Sequence, residues 1–130
     1  MPNPRITSIM TADASGKELV QFAQETAQRL VRSNLRNTQI RNIFTEVRKI
    51  EAMRNQNPTA AMRRLQMLKP KLAYQAARQR QVEGLRDVLI DAIDVVEAQT
   101  DEKKRSEAFQ RFMDLFEAIL AYHKAEGGRN

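Results

Sequence analysis

Apolar residues along this chain recur at intervals of three and four, the spacing that gathers them on one side of an α-helix. A first helix is predicted from Ser15 to about Val31, with Leu19, Phe22, Ala23, Ala27 and Leu30 inward, and Ser15-Gly16-Lys17-Glu18 has capping-box spacing at its start. A second, capped by Thr38 and running to about Asn55, carries Ile40, Ile43, Phe44, Val47 and Ile50 as its core stripe. Asn57-Pro58, an N-cap followed by proline at the first helical position, opens a third to about Arg80 with Ala61, Leu65, Leu68, Leu72 and Ala76 inward. Pro70 lies inside it. A proline there removes a backbone bond and crowds the preceding turn, so a kink or a restart is expected near Gln66–Lys69. A connection over Gln79–Gly84 leads to a fourth helix that buries Val82, Leu85, Leu89, Ala92, Ile93 and Val96. The fifth, about Glu102 to Lys124, has Phe109, Phe112, Phe116 and Ile119 as its seam. Met113, Leu115, Leu120 and Tyr122 widen that face beyond one neighbour's needs, so part of it is expected to dock a partner or another copy.

Residues 1–14 hold two prolines and no evident helical period, so they are expected to form a flexible arm, and residues 126–130, which include two adjacent glycines, a disordered tail. The fold class is therefore all-α: a single compact bundle of about five helices over residues 15–125. A chain of 130 residues suits one domain with a modest core. It has no Cys, which removes disulfides and thiolate chemistry and fits a cytoplasmic protein. The start lacks the apolar segment of a signal peptide, and no apolar run approaches the ~20 residues of a membrane span.

Charge changes this picture. The net charge is +6, but residues 1–57 carry +4, residues 58–81 +6 and residues 82–130 −4. From Ala52 to Val82 there is no Asp or Glu at all. A window kept free of acids reads as a surface for a polyanion, and the acidic last third suggests a second, protein partner. Arg64, Lys71 and Arg78 recur at seven-residue spacing. On a helix that spacing drifts only about 20° per step, so the three form one stripe roughly 21 Å long, matched to the continuous phosphates of a duplex. Arg41 and Arg48, also a heptad apart, flank the core stripe of the second helix. Their stems either cover the core edge or add to the cationic surface. Tyr74, beside Lys71 and Arg78, is placed either to stack on a sugar or base or to pack at the bundle's edge with a wet hydroxyl.

Chemistry of other kinds finds little support. His123 is the only histidine, and in the last turn of a helix it reads as a surface cation suited to the helix dipole. Without a second His or any Cys, a zinc site of the usual ligand types is not expected. Asp87, Asp91 and Asp94 share a helix face, as either a solvated acidic face or, less simply, a divalent-ion site. No phosphate-binding glycine loop and no nucleophile elbow is present. No catalytic residue, metal or cofactor is expected; this reads as a binding protein and not an enzyme.

Thr38-Gln39-Ile40-Arg41, then Met67-Leu68-Lys69-Pro70-Lys71-Leu72-Ala73-Tyr74 with Ala77-Arg78, then Phe112-Met113-Asp114-Leu115-Phe116-Glu117-Ala118-Ile119 with Tyr122, stand in this order over about residues 36–124. The set resembles the small helical subunit of type III-A CRISPR effector (Csm) complexes. The resemblance implies a non-catalytic all-α bundle present in several copies, stacked with like copies and with the other subunits in antiviral defence. Such subunits line the groove where guide RNA pairs with target RNA. It implies that Arg41 and the group Lys69, Lys71, Tyr74 and Arg78 meet RNA, and this second group lies within the acid-free window found from charge alone. With Arg48 and Arg64 these make seven candidate RNA-binding residues. The competing expectation is a small basic DNA-binding protein, or a helical adaptor for an acidic partner. The long, proline-broken third helix counts against a helix-turn-helix reader.

Overall fold

The computed structural model describes residues 2–130, which form six α-helices and no strand. In order these are α1 (Pro4–Ala12), α2 (Lys17–Arg32), α3 (Asn37–Met53), α4 (Pro58–Arg78), α5 (Glu83–Ala98) and α6 (Glu102–Ala125), with a short 3-10 turn at Arg80–Val82 before α5. The all-α expectation holds, with one more helix than about five.

That helix is α1, where a flexible arm was expected. Asn3 caps it by accepting a bond from the Arg5 amide at 2.8 Å, and Pro4 takes the first turn, where its missing N–H costs nothing. Ile6, Ile9 and Met10 are spaced for one face and are buried. Arg5 then clamps α1 to α2: its guanidinium donates to both carboxylate oxygens of Glu25 at 2.8 and 3.0 Å and lies 5.0 Å from the centre of the Phe22 ring.

The start of α2 also departs from expectation. Gly16, at φ +80°, takes the N-cap position, and the cap is made from outside: the Asp13 carboxylate accepts from the Glu18 and Leu19 amides at 3.3 and 2.8 Å. At the other end Asn34, at φ +65°, adopts the left-handed conformation. The Leu35 amide reaches back to the Leu30 carbonyl and the Asn34 amide to that of Val31, both at 3.0 Å. This is a Schellman stop, and it turns Leu35 into the core.

All the core positions expected on α4 are buried, and the helix runs unbroken through Pro70 with no restart. At the centre of the bundle is α6, which packs against α1, α2, α3 and α5. Its buried residues, from Leu115 round to Met113, span an arc of about 160° at 100° per residue. Phe116 meets Phe44 edge-on at 5.1 Å. The wide apolar face expected to dock a partner is therefore covered by the chain's own helices: Met113 and Leu115 are buried, and Leu120 and Tyr122 are half-buried against the same core.

His123 is the second correction on α6. It is fully buried, with Nε2 2.7 Å from the Leu35 carbonyl and Nδ1 3.0 Å from Asn37 Oδ1. The tail, expected to be disordered, folds over this pair. Gly127, at φ +100°, reverses the chain, and the Gly128 amide donates to the His123 carbonyl at 2.8 Å. The Asn37 backbone amide donates to the Arg129 carbonyl and its side-chain amide to the Gly128 carbonyl.

Candidate nucleic-acid interface

The sequence pattern of α4 decides which side chains it shows to solvent. With Ala61, Leu65, Leu68, Leu72 and Ala76 turned inward, Arg64, Met67, Lys71, Tyr74 and Arg78 lie within about 80° of one another on the outer side. All five are exposed, Tyr74 and Met67 at 63% and 54%. This row borders a groove of about 520 Å³ between α4 and α3, lined by Met67, Pro70, Lys71, Tyr74 and Arg78 from one side and Gln39 and Asn42 from the other. Gln39 ties the two walls together at one end by donating to Gln79 at 2.7 Å. Among the described residues no acid lines the groove.

Among the described residues Arg64 and Arg78 are paired with no acid, and the Arg78 guanidinium lies 5.7 Å from the centre of the Tyr74 ring. Lys71 has only Glu46, at 3.8 Å and half exposed. A loose surface pair of this kind contributes little and leaves the ammonium available. The groove thus offers a flat aromatic ring and apolar methionine between cations, a combination suited to sugar–phosphate and base faces.

The remaining three candidates stand elsewhere. Lys69, two residues from Lys71, is about 160° around the helix from it. It is half-buried against α5, paired with Asp94 and within 3.8 Å of Glu97. Its charge is spent locking α4 to α5, which sets it apart from the exposed row. Arg41 and Arg48 are each about 160° around α3 from a residue that faces α4, Gln39 and Glu46 respectively. Both are exposed, on the edge of α3 away from the groove; Arg48 lies 5.9 Å from the Phe44 ring centre and 3.7 Å from Glu51. The structure therefore brings together Arg64, Lys71, Tyr74 and Arg78 but not the whole set of seven. It adds Gln39, Asn42 and Met67, which the sequence reading left out of the site. Met67 had a visible signal: it is an apolar residue four before Lys71, off the core stripe.

The acidic side is largely engaged within the fold. Asp91 accepts from the Asn3 amide at 3.0 Å, Asp94 pairs with Lys69 and Asp87 with Arg86. Among the described residues no group of three or more His, Asp or Glu is arranged to hold a metal ion, so the divalent-ion alternative for Asp87, Asp91 and Asp94 finds no geometry. Among the described residues no helix is long and apolar enough to cross a membrane.

A family model for Csm2 Type III-A matches residues 13–129. The chain belongs to that family. Csm2 proteins are a structural small-subunit family of the type III-A CRISPR effector complex, so this chain is a small subunit of such an assembly. The match takes in α2 to α6 and both walls of the groove, while α1 lies ahead of it. No curated protein and no solved structure matches the chain.

Proposed function

We propose that this Csm2-family subunit holds the sugar–phosphate edges of the guide RNA–target RNA duplex against the outer side of α4, without catalysis and without reading sequence. The observation that carries this is the row Arg64–Lys71–Tyr74–Arg78. These are cations without effective counter-acids, set about an exposed ring, in a chain that belongs to an RNA-guided effector family. A subunit that serves any guide gains from contacts to phosphate and 2′-hydroxyl, which look alike at every step of an A-form helix. Arg41 and Arg48 form a second, separate cationic edge on α3, fitted to a neighbouring segment of RNA. Lys69 supports the site from behind by fixing α4 on α5. Each copy neutralises few phosphates, so an isolated subunit binds weakly, and stacking with like copies and with other subunits in the cytoplasm raises the effective concentration.

The test is duplex binding measured by fluorescence anisotropy across a salt series. Lys71→Glu with Arg78→Glu is expected to flatten the salt slope by about one to two and to weaken RNA duplex binding at least tenfold. Lys69→Gln is expected to leave the slope unchanged. Equal binding by the double variant, or a preference for DNA duplex over RNA duplex, would overturn the proposal. In cells, the tagged wild-type chain is expected to co-purify with guide RNA, and the double variant to recover less target.

A further inference from the structure

A second concave surface lies at the end of the molecule, beyond the Gln39–Gln79 bridge that closes the α3–α4 groove. It is a polar cleft of about 940 Å³ into which three arginines from three separate segments converge: Arg36 ahead of α3, Arg80 in the 3-10 turn, and Arg129 in the tail. All three are exposed, and among the described residues no Asp or Glu lines the cleft. Arg36 donates to the main-chain oxygen of Asn130 at 3.3 Å, and none of the three is ion-paired to an Asp or Glu side chain among the described residues. Gathering like charges with no Asp or Glu side chain beside them works against folding unless anions offset them. The chain nonetheless spends specific structure on bringing them together. Asn37, buried beside Arg36, holds the Arg129 and Gly128 carbonyls, and it is braced in turn by the buried ring of His123. The tail is thus seated by a fixed polar network, and its seating delivers the third arginine.

We propose that this cleft is a phosphate-binding site completed by the C-terminal tail. Guanidinium groups are planar forks matched to phosphate oxygens, and three of them arriving from different directions suit a tetrahedral oxyanion better than a flat carboxylate. The phosphate comes either from a nucleic-acid strand passing the end of the bundle or from a small free phosphate compound. The cleft uses none of the residues of the α4 row, so its success or failure is separable from that of the duplex face.

The experiment is a titration of the full chain with inorganic phosphate, followed by backbone amide NMR, and a parallel titration with an eight-nucleotide single-stranded RNA. Phosphate is expected to shift the amides of residues 36–37, 80–81 and 127–130 and to leave those of residues 64–74 in place. Arg80→Gln and Arg129→Gln, both at exposed positions that make no side-chain bond to the fold, are each expected to weaken phosphate binding about three- to tenfold. Gly128→Ala, which unseats the tail, is expected to weaken it as far as Arg129→Gln does. Loss of phosphate and RNA affinity together assigns the site to a nucleic-acid strand; loss of phosphate affinity with RNA binding intact assigns it to a small phosphate compound. Phosphate shifts confined to α4, or unchanged phosphate affinity in both arginine variants, would sink the proposal. A Lys71→Gln, Arg78→Gln control, expected to bind phosphate like the wild type, keeps this result distinct from the fate of the duplex face.

Discussion

Replacing Gly128 by alanine tests the tail clasp directly. A Cβ built on Gly128 would stand 2.3 Å from His123 Cε1, 2.4 Å from Nδ1 and 2.7 Å from the His123 carbonyl oxygen. None of these can yield cheaply. The carbonyl belongs to α6, and the ring is held at both nitrogens by Leu35 and Asn37. The tail must therefore lift, which loses the Gly128–His123 bond and the two bonds from Asn37 to the Arg129 and Gly128 carbonyls. At roughly 1 kcal/mol net each, the loss is about 2–3 kcal/mol, and the free energy of seating the tail sets its ceiling. For a chain of this size that lowers Tm by roughly 6–15 °C. Gly127→Ala is the control: nothing lies within 4 Å of its Cβ, so only its φ of +100° is strained, at about 1 kcal/mol. Melting followed by circular dichroism reads both. If Gly128→Ala melts no lower than Gly127→Ala, the contact with His123 is not tight and the reasoning fails.

Two further outcomes follow from the helices. Pro70→Ala restores the N–H that a proline denies to the Gln66 carbonyl, inside a helix that continues past this position; stability is expected to rise by about 1–3 kcal/mol, read as a higher urea midpoint. The Arg5–Glu25 clamp gives a pH dependence: hydrogen bonding to Arg5 holds the Glu25 carboxyl below its ordinary range. A lowered folded-state value stabilises above the unfolded carboxylate's titration and is lost as pH falls through the lowered one, so the stability gap between wild type and Glu25→Gln should be present at pH 7 and close toward pH 3. An equal gap at both pH values would mean that the ion pair does not hold α1.

Periodicity carried the sequence reading where side chains repeat along one face. The core stripes of α3, α4 and α5 fall where the spacing put them, because an amphipathic helix against one core has a single solution. It failed where a residue's role depends on what comes from elsewhere in the chain. Asn3-Pro4 carries the same start signal as Asn57-Pro58, and Ile6, Ile9 and Met10 follow it at helical spacing; two prolines near the terminus masked a helix of nine residues. Asp13 displaced Ser15 as the cap because a turn aims its carboxylate at the helix end. His123 read as a surface cation because nothing local says that Leu35 and Asn37 will arrive beside it. At the site, the exposed row on α4 was legible from heptad spacing. The split of Lys69 from Lys71 was legible too, since residues two apart cannot share a helix face. Which flank of α3 meets α4, and hence the separation of Arg41 and Arg48 from the groove, required the packing.

The order of the helices has a consequence for biosynthesis. The element that touches α1, α2, α3 and α5 is α6, which follows all four of them along the chain. Until it leaves the ribosome, four amphipathic helices have their apolar sides turned toward a place that is still empty, so the nascent chain stays sticky and unlocked until α6 is made. A chain cut before Glu102 should therefore be not a slightly weakened subunit but a chaperone client, whereas loss of residues 1–12 takes away one outer helix and spares the keystone.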